Sequence, residues 1–432
     1  MTTFLSHVVD SSKQIHQLTD HLFRREAGKM VAVLTKIFGT EHLELCEDVV
    51  QDTLLHALQV WVDKGIPDQP AAWLFRVAKN KAIDIIRRNK HAVSFDFSDN
   101  EHVLLNSGYS MAATMDDFWQ EGSMKDDMLR MMFACCDPGI SEDHQVTIIL
   151  KTLCGFSTAE IAKAFVTTED TISKRLYRTK EFFREQRLKP AFPSPAALAV
   201  RIDAVLNVIY LLFNEGYNST HAAELIRRDL LEEAMMLCKL LTEHPQTQLP
   251  SVYALMALMC FHASRTDSRL TAAGQIILLP DQDRRKWDQG LIRQGNAYLN
   301  QAAGGEYLSR YHLEAAIAYE HCAADSYAHT NWQQLLTYYD LLNTLYPSPI
   351  TMMNKAVIIL QLYGAETALK ALAVADIEKK LSSFYLYNSL LGELHARLGH
   401  VAEARHYFQR AMRQTRAEAE RALLDEKLAK LS

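Results

Sequence analysis

The chain's 432 residues exceed what one hydrophobic core organises, so length alone points to roughly two to four domains. A hydrophobic fraction of 48% is ample for burial, and a formal net charge of −6 argues against indiscriminate attraction to phosphates, although an average hides individual basic elements. Seven cysteines, at positions 46, 135, 136, 154, 238, 260 and 322, form no CxxC pair and are odd in number, which suits a reducing cytoplasm rather than a disulfide framework.

The N-terminus is polar and mixed, and no window approaches the roughly 18 uninterrupted apolar residues of a membrane span. Neither a secretory segment nor a membrane association is expected. Glycine is sparse, proline clusters at a few places, and apolar residues recur at spacings of three and four without strand alternation, so an all-α fold is expected.

Residues 19 to 90 read as one helical block, broken near Gly39 and Thr40 and again at Lys64-Gly65-Ile66-Pro67. In EDVVQDTLLHALQVW, residues 47 to 61, Val50, Leu54, Leu58 and Trp61 line one helical face while Asp48, Gln51 and Asp52 occupy another. Taken alone, such an acidic edge is the solvated flank of an ordinary helix. The next segment, AWLFRVAKNKAIDIIRRNKH, carries Arg76, Lys79, Lys81, Arg87, Arg88 and Lys90 against a single acid, Asp84, with Trp73 and Phe75 at its start. Cations neutralise phosphates and a flat ring stacks on an unpaired base, so this pairing suits a protein that holds opened DNA.

The two segments together, in this order and separation, resemble the second conserved region of sigma factors, the promoter-reading subunits of RNA polymerase. The resemblance implies that the helix around Asp48, Gln51, Asp52 and Leu55 docks on the clamp helices of the largest subunit of core RNA polymerase. It also implies that residues 63 to 70 form a loop that captures a flipped minus-ten base. Contacts to the melted strand and adjoining duplex are then expected from Trp73, Arg76, Lys79, Asn80, Asp84, Arg87 and Arg88.

Residues 94 to 127 hold Asp96, Asp99, Glu101, Asp116, Asp117, Glu121, Asp126 and Asp127 against Lys125 alone among the strong bases, and read as an acidic linker. A helix-turn-helix follows at 155 to 185: Ser157 and Glu160 stand in capping-box positions, a turn falls near Val166 and Thr167, and the second helix buries Ile172 and Leu176. Its outward set is Thr168, Thr171, Lys174, Arg175 and Arg178, able to bond phosphates and base edges. This unit resembles region four of the same family, which implies minus-thirty-five recognition in the major groove of duplex promoter DNA.

Pro190, Pro193 and Pro195 punctuate the chain before a long Leu, Ala, Met and Tyr-rich helical stretch. In its last unit Leu391, Gly392, Ala404, Phe408 and Ala411 fall at the spacings of a tetratricopeptide repeat. LRMMFACCDPGISEDHQVTIIL, VIYLLFNEGYNS, LLPDQDRRKWDQGLI and PSPITMMNKAVII resemble markers of the extracytoplasmic-function subgroup with a tetratricopeptide-like C-terminal extension. Asp137 stands where that subgroup is expected to have histidine. The organisation expected is region two over 1–92, acidic linker over 93–127, region four over 128–190 and the extension over 191–432.

The resemblance implies that the extension regulates in cis, through an unidentified protein or ligand. Asn214, Glu215 and Gly216 read as a tight inter-domain turn or, more sharply, a ligand contact; Asp281, Asp283, Arg284, Arg285 and Trp287 read as an ion-pair cluster or a partner-binding edge. Cys135 and Cys136 point about 100° apart on a helix and read as core thiols; His321, Cys322 and His329 lack a fourth ligand, so no metal is expected there. No cofactor is expected either. With no phosphate-cradling glycine loop, HExxH or nucleophile elbow, an enzyme is disfavoured; the alternative to a sigma factor is a helical adaptor with a vestigial DNA-binding half.

Overall fold

The computed structural model describes residues 22–24, 26–88, 121–164, 167–188, 190–219, 225–305, 307–373 and 375–431. Among these the chain is all-α, and the sole extended pairing is an isolated antiparallel bridge between Leu270 and Ile276. It divides into two compact units, Met1–Leu212 and Phe213–Ser432.

In the first unit α1 (26–38) buries Met30, Val31, Leu34, Ile37 and Phe38, a spacing of three and four that turns one stripe inward. A short 3-10 turn leads into α2 (Leu43–Lys64), which ends where Gly65 takes a positive φ, and α3 (Pro70–Arg88) follows. The buried face of α2 is Leu43, Cys46, Val49, Val50, Thr53, Ala57 and Trp61, so the expected stripe through Leu54 and Leu58 is corrected: Leu54 is half-buried and Leu58 exposed. Thr53 and Ala57 are small enough to face a packed neighbour, and Thr53 satisfies its hydroxyl by donating to the Val49 carbonyl at 2.7 Å. On α3, Leu74, Ala78, Ala82, Ile83 and Ile86 point inward; each large aliphatic among them contributes about 1.5–3 kcal/mol through burial.

The expected acidic linker lies outside the described residues up to 120, and α4 (Glu121–Cys135) already begins within its last segment. Cys135 and Cys136 are both buried, as are Val146, Ile148, Ile149 and Leu150 of α5 (Glu142–Thr152). The carbonyl of Leu153 after α5 comes so close to Gly28 of α1 that a Cβ there would lie 1.9 Å from its oxygen. Only glycine lets α1 approach this backbone. α6 (Thr158–Ala164) opens with a reciprocal capping box, the Ser157 amide donating to Glu160 at 2.8 Å and the Glu160 amide to Ser157 Oγ at 3.2 Å. Thr168 caps α7 (Glu169–Gln186), which buries Ile172, Leu176, Thr179 and Phe183.

The division between units falls inside α8 (Pro195–Tyr217). By length and composition this helix could cross a membrane, which amends the expectation that no stretch of the chain could. In the fold Leu198, Ile202, Val205, Leu206, Val208, Ile209 and Leu212 are buried, as in a core helix. Asp137 accepts a hydrogen bond from Arg201 of α8 at 2.6 Å, so the residue that departs from the expected histidine holds an ion pair.

The second unit is built from α9 (Arg228–Glu243), α10 (Pro250–Ala263), α11 (Gln289–Ala302), α12 (Arg310–Ala323), α13 (Trp332–Leu345), α14 (Pro349–Tyr363), α15 (Ala365–Leu372), α16 (Ala375–Leu381), α17 (Tyr385–Arg397), α18 (Val401–Gln414) and α19 (Glu418–Ala429). α10 is apolar and buried on every side from Ala254 to Phe261, with α9, α11 and α12 packed around it. Beyond it helices pack mainly on their neighbours in sequence. In the pair α17 and α18, Phe408 lies over Gly392 while Ala404 and Ala411 are buried beside it.

Candidate nucleic-acid and polymerase interface

α2 and α3 divide their solvent face by chemistry. Asp48, Gln51, Asp52 and Leu55 are all exposed on α2, spaced so that they share one side, and Leu55 is 57% exposed despite being apolar. Val62 and Ile66 continue this exposed apolar edge into the connection between the two helices. On α3, Arg76, Asn80, Asp84, Arg87 and Arg88 are exposed at spacings close to four, while Lys79 is half-buried. Lys81 reaches Asp52 at 3.3 Å across the pair, and Arg87 lies 3.9 Å from Asp84. The connecting residues 65 to 69 are non-helical and mostly exposed.

Trp73 does not protrude as a free stacking platform. Its ring is half-buried, stacked on His56 at 5.7 Å and edge-on to Trp61 at 5.5 Å, because an unpaired indole next to a core tryptophan gains more from packing than from water.

The second cationic helix, α7, is also partly committed to internal contacts. Lys174 and Arg178 are exposed, Lys174 pairing with Asp170 at 2.7 Å. Thr168 caps the helix and shares its hydroxyl with that of Thr171 at 2.9 Å, whereas Arg175 donates to Asp143 of α5 at 2.8 Å. Tyr177, 65% exposed between Lys174 and Arg178, was missed by sequence reasoning; its position one turn beyond Lys174 was the available signal.

Further along α7, Lys180 bonds Glu47 of α2 at 2.6 Å and Arg184 bonds Glu44 at 3.2 Å. Arg24 reaches Glu160 at 3.1 Å with its guanidinium 5.6 Å from the Phe156 ring centre, Lys36 pairs with Asp127 at 2.9 Å, and Thr40 donates to the Leu188 carbonyl at 2.6 Å. The N-terminal acids of α2 are therefore engaged by α7, while its later acids face outward.

In the second unit Asn214, Glu215 and Gly216 sit inside α8, so the tight-turn reading is corrected. A Cβ at Gly216 would stand 2.8 Å from the Leu231 amide nitrogen and 3.0 Å from the Arg227 carbonyl, so glycine serves close approach to α9. Glu215 accepts from Ser219 at 3.1 Å, and Asn214 is half-buried. The 281–287 segment splits. Asp281 is exposed and Asp283 forms a surface pair with Arg285 at 2.9 Å, which lowers the Asp283 pKa. Arg284 and Trp287 instead turn inward, Arg284 donating to the carbonyls of Ala324, at 2.7 Å, and His321.

Around them gather residues that sequence reasoning passed over. The guanidinium carbons of Arg265 and Arg284 lie 5.1 and 4.5 Å from the Trp287 ring centre, and that of Arg269 lies 3.9 Å from the Tyr217 ring centre. Burial, reinforced by Arg265, Arg269 and His321, pushes His262 down to about 3; burial, with Arg265 and Arg284, pushes His321 to about 3 as well. The pair Arg265 and Arg269, four residues apart just after a largely apolar helix, was the sequence signal.

Both imidazoles stay neutral in the folded chain yet take up protons near pH 6.5 when unfolded, so their contribution to stability is present above that pH and is lost as pH falls towards 3. The unfolding midpoint is expected to be level from about pH 8 to 7 and to drop between about pH 6.5 and 5, above the range where ordinary carboxylates titrate. His262→Gln flattens that drop in thermal scans; a midpoint that holds or rises down to pH 5 contradicts it.

Among the described residues no disulfide joins the cysteines, and burial raises Cys46 and Cys260 to about 12 and Cys135, Cys136 and Cys238 well above the ordinary thiol value. Among the described residues no three His, Cys, Asp or Glu side chains are grouped to hold a metal ion.

Residues 22–92 match the family model Sigma-70 region 2, and residues 201–303 match a Family of unknown function (DUF6596). An uncharacterized protein of Rhizobium meliloti, R00370, is 32% identical over 371 residues, covering 86% of each chain. The ECF RNA polymerase sigma factor SigL of Mycobacterium tuberculosis is 33% identical over 132 residues, which is 30% of this chain and 68% of that protein. No solved structure gives a significant match. The chain belongs to the sigma-70 family of RNA polymerase sigma factors. Its helical unit beyond Leu212 has no counterpart in the stretch shared with that family's region-two model.

Proposed function

We propose that this protein binds core RNA polymerase and directs promoter recognition, melting and transcription initiation in the cytoplasm, without catalytic chemistry of its own. The observation that carries the reading is the division of the α2–α3 pair into an acidic and apolar face on α2 and a cationic, amide-bearing face on α3, within the segment matching region 2. Asp48, Gln51, Asp52 and Leu55 dock on the clamp helices of the largest subunit. The 65–69 connection and Arg76, Lys79, Asn80, Arg87 and Arg88 hold the melted minus-ten strand, with Asp84 tempering the charge of that face and Trp73 supporting the connection from behind. α6 and α7 form a helix-turn-helix of region-four type that reads the minus-thirty-five element through Lys174, Arg178 and the Thr168 end of α7. The helices of the second unit form a tetratricopeptide-like extension that regulates in cis.

Promoter engagement also demands a change of state. Elements named minus ten and minus thirty-five lie about 25 base pairs apart, roughly 85 Å at ~3.4 Å per pair. Helices joined by the Lys180–Glu47 bond at 2.6 Å cannot span that distance, so α7 must leave α2 before both elements are held. Glu47→Gln with Lys180→Met removes both charges of a half-buried pair worth about 1 kcal/mol and should raise promoter-specific transcription about fivefold. The test is co-elution of the purified chain with core polymerase and promoter DNA, wild type beside the double variant. Equal or weaker complex formation by the double variant contradicts the opening step; failure of both to bind contradicts the function.

A further inference from the structure

We propose that the second unit carries a binding site for a small oxyanion, a carboxylate- or phosphate-bearing molecule, formed by Arg265, Arg269, Arg284 and Trp287 with His262 and His321 at its wall. The site goes beyond sigma activity, and its test needs no polymerase.

Three guanidiniums and two imidazoles converge here from the ends of α10 and α12 and from the 281–287 segment. Among the described residues no carboxylate forms an ion pair with Arg265, Arg269 or Arg284. Arg265 has only Gln282 Oε1, at 3.4 Å; Arg269 donates to the Tyr217 carbonyl and to Asn218 Oδ1 at 3.4 Å; Arg284 has its two carbonyls. The nearby acids are spent elsewhere, Asp267 on Arg228 and Asp283 on Arg285, while Asp325 faces Arg284 only at a distance and Glu420 sits behind Tyr385. Packing like charges together without counter-charge is costly in a partly buried setting, and the protein offsets it only with aromatic faces and carbonyl oxygens.

Buried polar atoms are left over. Among the described residues Arg284 Nη2, Trp287 Nε1, and Nδ1 of both His262 and His321 are buried without a hydrogen-bond partner, and Trp287 is only 3% exposed. Arginine and indole nitrogens can only donate, so the group that satisfies them must accept, and guanidinium forks fit planar carboxylates and phosphate oxygens. Tyr217, Trp287 and Trp332, which lies 5.9 Å edge-on to His321, supply flat apolar walls for the rest of a molecule. Burial holds both imidazoles neutral and the arginines reinforce it, so an anion among them would also draw their pKa values back up.

The probes are inorganic phosphate and benzoate, each compared with chloride at matched ionic strength on the full chain, reading the thermal unfolding midpoint and tryptophan fluorescence. A midpoint that rises saturably with either probe supports the site, and the better probe distinguishes phosphate from carboxylate. Arg265→Gln weakens the response by about tenfold or more, as expected when a charge-assisted hydrogen bond is removed, while Lys370→Gln on the exposed Glu366 pair leaves it intact. Should Arg265→Gln not fold, Trp287→Phe keeps the stacked ring, removes one donor and lowers probe affinity several-fold. The proposal is overturned if both probes match chloride, or if Lys370→Gln reduces the response as much as the site variants.

Discussion

Replacing Leu55 with aspartate is expected to weaken the complex with core RNA polymerase by about 30- to 1,000-fold, the effect of removing a hot spot of about 2–4 kcal/mol. Leu55 is an apolar side chain 57% exposed on α2, one turn from Gln51 and Asp52, which the core of the unit does not use. A large apolar group held in water beside acids is what a basic-rimmed, hydrophobic partner surface would desolvate. Because the side chain touches little in the free chain, the variant's unfolding midpoint should stay within experimental scatter of wild type. Asp52→Asn should act in the same direction but less strongly, and mainly on the association rate, since it removes long-range charge rather than buried contact. Titration of labelled chain into core polymerase measures both. A Leu55→Asp complex as tight as wild type removes α2 from the docking surface.

The second large effect belongs to α3. Arg87→Gln with Arg88→Gln should lower affinity for promoter DNA in the polymerase complex by about tenfold or more at moderate salt. It should also reduce the slope of log K against log salt by about 1.4, roughly 0.7 for each single-strand phosphate that is no longer neutralised. Both side chains are exposed at the end of α3, and among the described residues Arg87 has only a long 3.9 Å approach to Asp84, so their removal costs the fold little. Substitution of Asp84 alone separates the readings: if the cationic face acts through phosphates, Asp84→Asn strengthens binding slightly. Opposite signs, or an unchanged salt slope in the double variant, exclude phosphate contacts there.

What the sequence made legible was local. Three-and-four spacing identified an all-α chain, and glycines and prolines located the breaks at Gly39 and Gly65. The Ser157–Glu160 capping box could be read because its partners stand three residues apart. Periodicity placed α2's inward stripe one step off, since Thr53 and Ala57 are not apolar enough to be counted yet are small enough to be packed. Long-range partners were invisible: nothing at Arg175 announces Asp143, and nothing at Lys180 announces Glu47. Trp73 looked like a stacking platform until His56 and Trp61 were seen to hold it. The Asn214–Gly216 segment suggested a turn because a glycine for bending and a glycine for close approach leave the same trace in a sequence. Of the cationic cluster of the second unit only Arg284, Trp287 and His321 drew attention, because Arg265, Arg269 and His262 come from a segment apart from them in the chain.

If α2 brings core polymerase and α3 brings opened promoter DNA to a single helical pair, the full chain must create new transcription starts. Transcription from a library of genomic fragments, with starts mapped after adding the full chain to core polymerase, tests this most directly. The prediction is a set of new starts preceded by a shared two-block motif, stronger with the Glu47→Gln, Lys180→Met variant and absent with Leu55→Asp. No start above the core-polymerase background, with wild type and the double variant alike, would contradict it.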